Sequence, residues 1–332
     1  MRIHRIDNPA RIDAQEIASH IAAGTRVIVQ FARTSYTEEQ LANLNELARQ
    51  HGRNLTIRFY GHYAEVFDAS VLQHLPDAQC VSMDCITKAS NLDALSHLLD
   101  IKELRLGVFE LDNADILKTI NLGSLEALML DDTRNCRIDL SALAGCGQLQ
   151  RLNSAGHSRN IATICGLASL QELRLVAFRK SEELDFVGAI PNLTMLHLGF
   201  GGRDSIAKLT APQLQRLEVL RVQGLADLGD LGRFAELQSV QIEDQIRLAE
   251  IRLGENPKLA EIVVINCKTL TRIDGLADLP RLSTLRIHRS GIDYAAFIES
   301  RLPPHLQSLA FYTGKQKRDG EIKADLTARG YH

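Results

Sequence analysis

Hydrophobic residues recur along most of the chain in the pattern L-x-x-L-x-L, and the segment 170–175, "LQELRL", is one copy. The first apolar residues of ten such copies lie at positions 101, 125, 149, 170, 193, 217, 237, 259, 282 and 306. Residues two apart on a strand point to the same side, so Leu173 and Leu175 predict a short strand with one buried face. One such strand cannot bury its leucines alone, and the pattern therefore predicts parallel strands stacked around a shared core.

The second half of each copy predicts a compact return to the start of the next strand. In the segment 259–280, the apolar residues Leu270, Ile273, Leu276 and Leu279 are spaced three apart. This spacing is typical of tight helical or 3₁₀ turns. We therefore expect turns, more than full helices, in most of the later copies.

The first hundred residues predict a longer version of the same unit. The segments "GTRVIVQF" from Gly24 and "GRNLTIRF" from Gly52 align with an offset of 28 residues, and "DAQCVSMDC" follows from position 77. Between the first two, Thr37 and Gln40 form the pattern of a capping box at the start of an amphipathic helix. The segment after Asn91 predicts a shorter helix, giving four strand-and-helix units. The alternative is a separate small α/β domain at residues 1–50.

These patterns give three consecutive regions. Residues 1–100 are predicted to form an N-terminal cap with longer strand–helix repeats, continuous with residues 101–312, which carry the leucine-rich copies. Residues 313–332 are predicted to be a C-terminal capping segment. In that segment "GEIKADLTARG" predicts a short helix with Ile322 and Leu326 on one side. Terminal units of a repeat protein need such a cover over their open core.

The L-x-x-L-x-L copies at intervals of 20 to 24 residues resemble the leucine-rich repeat superfamily. The shorter copies resemble the repeats of about 22 residues found in internalin-like proteins. The resemblance implies an α/β solenoid, a horseshoe or arc, with a parallel sheet on the concave face and helices or 3₁₀ turns on the convex face. Members of the superfamily carry Asn or Cys eight residues after the first Leu, but here only Cys267 matches. The bends must therefore be satisfied in another way.

Composition and charge narrow the class of protein. The formal net charge is only −3 over 332 residues, which argues against a chain built to bind nucleic acid. Only "GKQKR", from Gly314, favours that alternative. The sequence has no apolar run of about 18 residues, so no membrane span is expected. The charged N-terminus lacks the apolar region of a secretory signal, and the six cysteines suit small buried hydrophobes in a reducing compartment. We expect a cytoplasmic protein.

Candidate catalytic motifs do not withstand inspection. The segment "GFGGR", from Gly199, lacks the Lys-Ser/Thr of a phosphate-binding loop and predicts only a loop at a strand end. Two acidic pairs, Asp131–Asp132 and Glu243–Asp244, are candidates for cation binding, but acidic side chains at a rim more often face solvent or a partner. The repeats leave no room for a separate catalytic domain. We therefore expect no enzyme activity, no catalytic residues, no cofactor and no metal.

The remaining candidate for function is the face of the sheet that points away from the leucines. It mixes basic, acidic and apolar residues, which suits protein recognition, although local pairing of Glu103 with Arg105 and of Glu172 with Arg174 is the alternative. The predicted partner-binding residues are Arg105, Arg174, Met195, His197, Phe200, Val219, Arg221, Gln223, Arg286 and His288. The function expected is a non-catalytic scaffold, an adaptor or inhibitor, that binds a protein partner. The alternative is an effector or enzyme component acting on a host or rival protein. The sequence leaves the partner and the oligomeric state open.

Overall fold

The computed structural model of the chain describes residues 2–331, so Met1 and His332, the end residues of the predicted capping regions, lie outside the described residues. The chain divides into two compact units: residues 2–170 form unit 1, and residues 171–331 form unit 2. Each unit contains a sheet of seven parallel strands with 3₁₀ turns and helices between them. The predicted α/β leucine-rich repeat architecture is therefore confirmed.

In unit 1 each strand pairs in parallel with the next strand along the chain. The strands are β1 (Arg2–Asp7), β2 (Thr25–Ala32), β3 (Leu55–Asp68), β4 (Cys80–Ser90), β5 (Glu103–Val108), β6 (Ala127–Leu130) and β7 (Arg151–Ala155). Val27 of β2 is the partner of Leu55 in β3, which confirms the predicted offset of 28 residues. The predicted boundaries of the regions at residues 100 and 312 stay predictions.

The helices of unit 1 are α1 (Ala14–Ala22) and α2 (Glu38–His51). The capping box of α2 is formed as predicted, with the Gln40 N–H donating to Thr37 Oγ1 at 3.2 Å and the Thr37 N–H donating to Gln40 Oε1 at 2.8 Å. The segment after Asn91, predicted to be a helix, is instead the 3₁₀ turn Leu92–His97. The remaining 3₁₀ turns are Gly52–Asn54, Ala69–His74, Ile116–Thr119, Leu122–Ser124, Leu140–Gly145 and Ile161–Gly166.

Unit 2 contains a main sheet and a second, two-stranded sheet. Its strands are β8 (Glu172–Val176), β9 (Met195–Gly199), β10 (Arg216–Leu220), β11 (Ser239–Glu243), β12 (Glu250–Arg252), β13 (Glu261–Ile265), β14 (Arg272–Asp274), β15 (Thr284–His288) and β16 (Ser308–Tyr312). The short strands β12 and β14 pair with each other in the return segments, a feature that the sequence did not predict. The 3₁₀ turns are Asp185–Ala189, Leu231–Arg233 and Leu276–Asp278.

Two helices complete unit 2, α3 (Tyr294–Ile298) and α4 (Gln316–Ala328). Helix α4 packs on β16, the last strand of the sheet, and buries Ile322 and Leu326. The predicted C-terminal helix is therefore confirmed, together with its apolar side. Helix α4 thus shields the apolar side chains on the inner side of β16 from water.

The repeat that contains β10 begins at Leu214 and not, as predicted, at Leu217. Glu218 is the register partner of His197 in β9 and of Gln241 in β11, so it occupies the central outward position. Val219 is only 1% exposed and belongs to the core. The prediction of Val219 on the outward face was therefore wrong. The segment "LQRLEVLRV" contains two L-x-x-L-x-V frames three residues apart, and only the neighbouring strands select between them.

This register makes a direct prediction about two adjacent residues. Val219→Ala should lower the free energy of unfolding by about 2 kcal/mol, because it removes buried methyl groups and leaves a cavity. Leu220→Ala should cost clearly less, since Leu220 is partly exposed on the opposite side of β10. Urea unfolding of both variants measures the difference. A larger loss for Leu220→Ala would restore the frame that begins at Leu217.

The bends after the strands of unit 2 are held by the main chain. The residue that follows each of six strands has a positive φ: Ala177, Phe200, Arg221, Asp244, Asn266 and Arg289. The N–H of each donates to the carbonyl of the last residue of the next strand in the sheet, as from Arg221 to Glu243 at 2.9 Å. The hydrogen-bond ladder thus continues one residue beyond each of these six strands, so the main-chain N–H and carbonyl groups at the bends are paired.

Three buried side chains, one in unit 1 and two in unit 2, also bond main-chain groups at the position where the superfamily has Asn or Cys. The Ile138 N–H donates to His157 Nδ1 at 3.2 Å, so His157 Nε2 carries the proton and donates to the Asp131 carbonyl at 2.9 Å. Burial lowers the pKa of His157 and keeps the ring neutral. Gln245 donates to the Glu243 carbonyl at 2.8 Å, and Cys267 Sγ lies 3.4 Å from the Ile265 carbonyl. In place of a uniform row of Asn or Cys, these bends are therefore satisfied by His, Gln and Cys side chains.

The cysteines follow the prediction of small buried hydrophobes only in part. Cys80, Cys146 and Cys267 are free and buried, and burial raises the pKa of the Cys80 thiol to about 12. Cys136 is partly exposed, and Cys85 is exposed with a φ of 54°, so the prediction was wrong for Cys85. The three buried thiols are in the neutral form that makes cysteine unreactive.

Candidate protein-binding face

Each strand other than β12 and β14 contributes one residue to a column of register partners that points away from the leucine core. In unit 1 these residues are Asp7, Gln30, Arg58, Ser82, Arg105, Met129 and Asn153. In unit 2 they are Arg174, His197, Glu218, Gln241, Val263, Arg286 and Ala310. We call these two sets, with their neighbours on the same side of the strands, the outer face of unit 1 and the outer face of unit 2.

The outer face of unit 1 is organised around a buried carboxylate. Asp84 is 1% exposed and accepts hydrogen bonds from Arg58 at 2.6 and 3.0 Å and from Ser82 Oγ at 2.9 Å. Arg105 Nη1 lies 3.2 Å from the same carboxylate. Burial alone would raise the pKa of Asp84, but the bonds from Arg58 and the charge of Arg105 outweigh it, and the pKa is lowered. Asp84 is therefore ionised and fully paired.

The charges around this carboxylate are paired from strand to strand. Arg105 also binds Asp131, with Nη2 2.9 Å from Oδ2. Glu103 does not pair with Arg105 but binds Arg26 at 2.7 Å and Arg151 at 2.9 Å. The predicted Arg–Glu pairing within a strand is thus replaced by pairing between strands. Arg105, predicted to bind a partner, has its charge neutralised inside this network.

In unit 2 the outer face begins with a cluster of three side chains on β8, β9 and β10. Arg174 Nη1 lies 3.2 Å from Glu218 Oε2, and His197 Nδ1 lies 3.0 Å from the same oxygen. The hydrogen bond from His197 and the charge of Arg174 lower the pKa of Glu218. Gly199 leaves room for the imidazole, because a Cβ there would lie 2.6 Å from His197 Nε2. Arg174 and His197 are brought together as predicted, whereas Glu218 was missed through the wrong frame.

The bend residues form the edge of this face, and Phe200 is the most unusual of them. Its φ is 57°, in the left-handed region that bulky residues avoid, and it is 44% exposed. The guanidinium of Arg221 lies 5.9 Å from the centre of its ring and 2.5 Å from Asp244. Gly201 follows with a φ of 60°, and a Cβ there would lie 2.2 Å from the Phe178 carbonyl oxygen. The backbone thus holds an aromatic ring towards solvent.

Apolar side chains continue the outer face of unit 2 on the last strands. Ile265, His288 and Tyr312 are register partners on β13, β15 and β16, and Tyr312 is 43% exposed. The His288 and Tyr312 rings meet edge to face at 5.9 Å. His288 was predicted from the sequence, but Ile265 and Tyr312 were not among the predicted residues. A signal for them existed, since they follow the same two-residue alternation as His288.

The remaining predicted residues occupy different positions. Met195 lies at the first position of β9 and is only 4% exposed, and Arg286 is 4.0 Å from Glu261. Gln223 is exposed beyond the bend, where it pairs with Gly202 in an isolated parallel bridge. Arg221 lies at the bend and not in the central column of the strands. Most of the predicted residues therefore lie on one side of unit 2, and their role in binding stays a prediction.

The acidic pairs considered for cation binding are bound by protein groups. Asp131 is paired with Arg105, and Asp132 Oδ1 accepts the Thr133 N–H at 3.0 Å. Asp244 accepts hydrogen bonds from Arg221 and from Asn266 Nδ2, both at 2.5 Å, and these bonds lower its pKa. The carboxylates of Asp131, Asp132 and Asp244 therefore already bind cationic or N–H groups of the protein, and their positions do not require a bound cation.

An open cavity of about 660 Å³ lies in the loops that follow β5, β6 and β7 of unit 1. Its lining includes Arg134 and Arg159, whose charges would suit an anion. Arg134 is paired with Glu110 at 3.0 Å, however, and Arg159 with Asp139 at 3.0 Å. The geometry therefore favours an ion-paired loop surface over an anion-binding site.

The structure is similar to solved leucine-rich repeat proteins. An internalin from Listeria monocytogenes matches with a TM-score of 0.54 and 15% sequence identity over 90% of this chain and 89% of that protein. A leucine-rich repeat protein from Leptospira interrogans matches with a TM-score of 0.50 and 15% identity over 92% of this chain and 82% of that protein. No protein-family model and no curated protein matches the sequence. The likeness shows the fold.

Among residues 2–331, no helix combines the length and the apolar character that a membrane crossing requires.

Proposed function

We propose that the chain binds a protein partner through the outer face of unit 2 and catalyses no reaction on it. The observation that carries this proposal is Phe200, an exposed aromatic ring on a backbone conformation that costs a bulky residue about 1–2 kcal/mol. Strain of this kind persists where the surrounding structure enforces it, and it concentrates at functional positions. Of the other five bend residues, Asp244 and Asn266 are types that tolerate the conformation, and Ala177, Arg221 and Arg289 share it; Phe200 is the one aromatic residue among the six.

The two outer faces differ in what they offer to a partner. In unit 1, Arg58 and Arg105 are tied to the buried Asp84. In unit 2, the Arg221 side chain is 65% exposed and lies beside the ring of Phe200. Arginine next to exposed aromatic surface is the composition of binding hot spots. The outer face of unit 2 is therefore the better candidate.

The composition of this face indicates the chemistry of the partner. Phe200 at one end and Tyr312 with Ile265 at the other end suit apolar side chains of a partner. Between them, Arg221 has one carboxylate partner and most of its surface in solvent, which suits a carboxylate of a partner protein. We propose an adaptor or an inhibitor that acts by occupying such a surface. We also place the protein in the cytoplasm, a proposal supported by the free, buried thiols of Cys80 and Cys146.

Replacing Phe200 with asparagine separates binding from stability. Asparagine adopts positive φ readily, so the free energy of unfolding of Phe200→Asn should stay within about 1 kcal/mol of the wild type. Binding to a partner isolated with the wild-type protein should fall at least about tenfold, the effect of losing a hot spot. Isothermal titration calorimetry measures the affinity, and urea unfolding measures the stability.

A matched control is Ile246→Asn, since Ile246 is 68% exposed in the same unit but lies beyond the bend after β11. This variant should bind the partner as the wild type does. Full binding by Phe200→Asn, or equal losses in both variants, would remove the outer face of unit 2 from consideration.

A further inference from the structure

Strand β1 carries a histidine at a position where the next strands carry core residues. His4 is the register partner of Val27 in β2, and Val27 is the partner of Leu55 in β3. Both of these apolar residues are buried, whereas His4 is partly exposed. The imidazole therefore lies on the inner side of the first strand, where helix α1 packs against the sheet.

Helix α1 directs two further donors to the same place. Glu16 and His20 are four residues apart, so they lie on one face of the helix. His4 Nε2 is 3.5 Å from Glu16 Oε1, and the rings of His4 and His20 are stacked with their centres 3.7 Å apart. One donor atom from each residue lies within 4.8 Å of the other two. Polar residues at a terminal repeat keep it soluble, but solubility alone does not require three donors to converge.

We propose that His4, Glu16 and His20 bind one zinc ion per chain. Two imidazole nitrogens and one carboxylate oxygen are a ligand set that zinc accepts, with a water molecule as the fourth ligand. Calcium and magnesium prefer ligand sets made entirely of oxygen. In a tetrahedral zinc site the ligand atoms lie about 3.3 Å apart, so the donors must close by at most about 1.5 Å. Side-chain rotation at the surface is sufficient for this.

The zinc ion would connect the first strand to the first helix. Within residues 2–331, β1 pairs only with β2, so its other edge has no strand partner. A metal that joins His4 of β1 to Glu16 and His20 of α1 would hold this edge strand against the helix. The binding free energy would then contribute to folding, because the unfolded chain lacks the site.

The test is a titration of the full chain, without a polyhistidine tag, with zinc sulfate in competition with a chromophoric chelator. The wild-type protein should bind one zinc ion per chain. His20→Gln and Glu16→Gln should each weaken binding more than about tenfold, since the loss of even an outer partner of a zinc ligand can cost that much. His97→Gln, which replaces an exposed histidine of the turn Leu92–His97, should bind as the wild type does.

A second readout is thermal unfolding with zinc and with EDTA. Zinc should raise the midpoint of the wild type and of His97→Gln but not of His20→Gln, and calcium should raise none of them. Absence of stoichiometric binding overturns the proposal. Binding that persists unchanged in His20→Gln and Glu16→Gln overturns it as well, since the ion would then lie elsewhere.

Discussion

Asp84→Asn should lower the free energy of unfolding by about 2–4 kcal/mol at neutral pH. Removing one partner of a buried ion pair leaves its charge uncompensated, which typically costs about 3–5 kcal/mol. Arg58 and Arg105 remain partly exposed, so water compensates them in part and the expected loss is somewhat smaller than that range. Asparagine has nearly the same shape as aspartate, so the loss reports the charge and its hydrogen bonds and not a cavity. Urea unfolding at pH 7 measures it.

The same pair of proteins gives a pH dependence with a defined sign. The pKa of Asp84 is lowered in the folded state from an unfolded value of about 3.9. Its contribution is therefore fully present above about pH 4 and is lost as the pH falls through the folded pKa. The difference in stability between the wild type and Asp84→Asn should shrink in this acid range. A difference that stays constant down to pH 2 would show that Asp84 is not the titrating group.

The control for this experiment is an exposed ion pair of the same unit. Glu46 binds Arg49 one turn along α2 on the surface, where water and salt screen the charges. Because Glu46 is exposed, Glu46→Gln should leave the urea midpoint unchanged. An equal effect of Glu46→Gln and Asp84→Asn would assign the loss to net charge and not to the buried network.

Arg233→Met should lower the free energy of unfolding of the protein by about 3 kcal/mol. Arg233 is the last residue of the turn Leu231–Arg233. Its guanidinium donates hydrogen bonds to main-chain carbonyls of the return segments. The acceptors and distances are Leu209 at 2.8 Å, Ile206 at 3.0 Å, Leu228 at 2.8 Å and Asp230 at 2.5 Å. Each hydrogen bond to a charged donor contributes about 1.5–3 kcal/mol, and water replaces some of these when Met is present.

Arg233→Lys distinguishes the geometry of the guanidinium from its charge. A lysine ammonium is a single point and cannot reach carbonyls in several directions, so Arg233→Lys should recover only a small part of the loss. Arg247→Met, at an exposed arginine of the same unit, should leave the stability unchanged. Urea unfolding of the three variants gives the comparison. Full recovery with lysine would contradict the role assigned to the planar group.

The periodic leucines were sufficient to predict most strands of the two units, many of the 3₁₀ returns and the buried side of the C-terminal helix, because the apolar spacing determines which side of each element is buried. One exception is β10, where two frames three residues apart satisfy the same pattern, and only pairing with β9 and β11 selects one. Strand β1 was not predicted, since Arg2, His4 and Arg5 hide its alternation. The side chains that satisfy the bends were not predicted either, because His157 and Gln245 occupy positions where the superfamily has Asn or Cys.

The candidate sites were less predictable than the fold. Arg174 and His197 were placed correctly on the outer face because their repeats were correctly aligned, and Glu218 was missed because its repeat was shifted by three residues. The carboxylate of Asp84 binds Arg58 and Arg105, which are 26 and 21 residues away in sequence, so no local pattern indicates the cluster. The donors His4, Glu16 and His20 converge through packing of α1 on the first strands, which sequence spacing alone does not describe.

The main-chain hydrogen bonds at the bends have a consequence for how this protein can diverge. Because each bend is closed by N–H to carbonyl bonds, its side chain is free to be alanine, phenylalanine, arginine, aspartate or asparagine. If the outer face of unit 2 binds a partner as proposed, substitutions at these positions would change the side chains that meet the partner while the main-chain hydrogen bonds of the bends stay intact. Under that proposal, single replacements at the bends could give new specificities, within the limits that the positive φ sets on residue type.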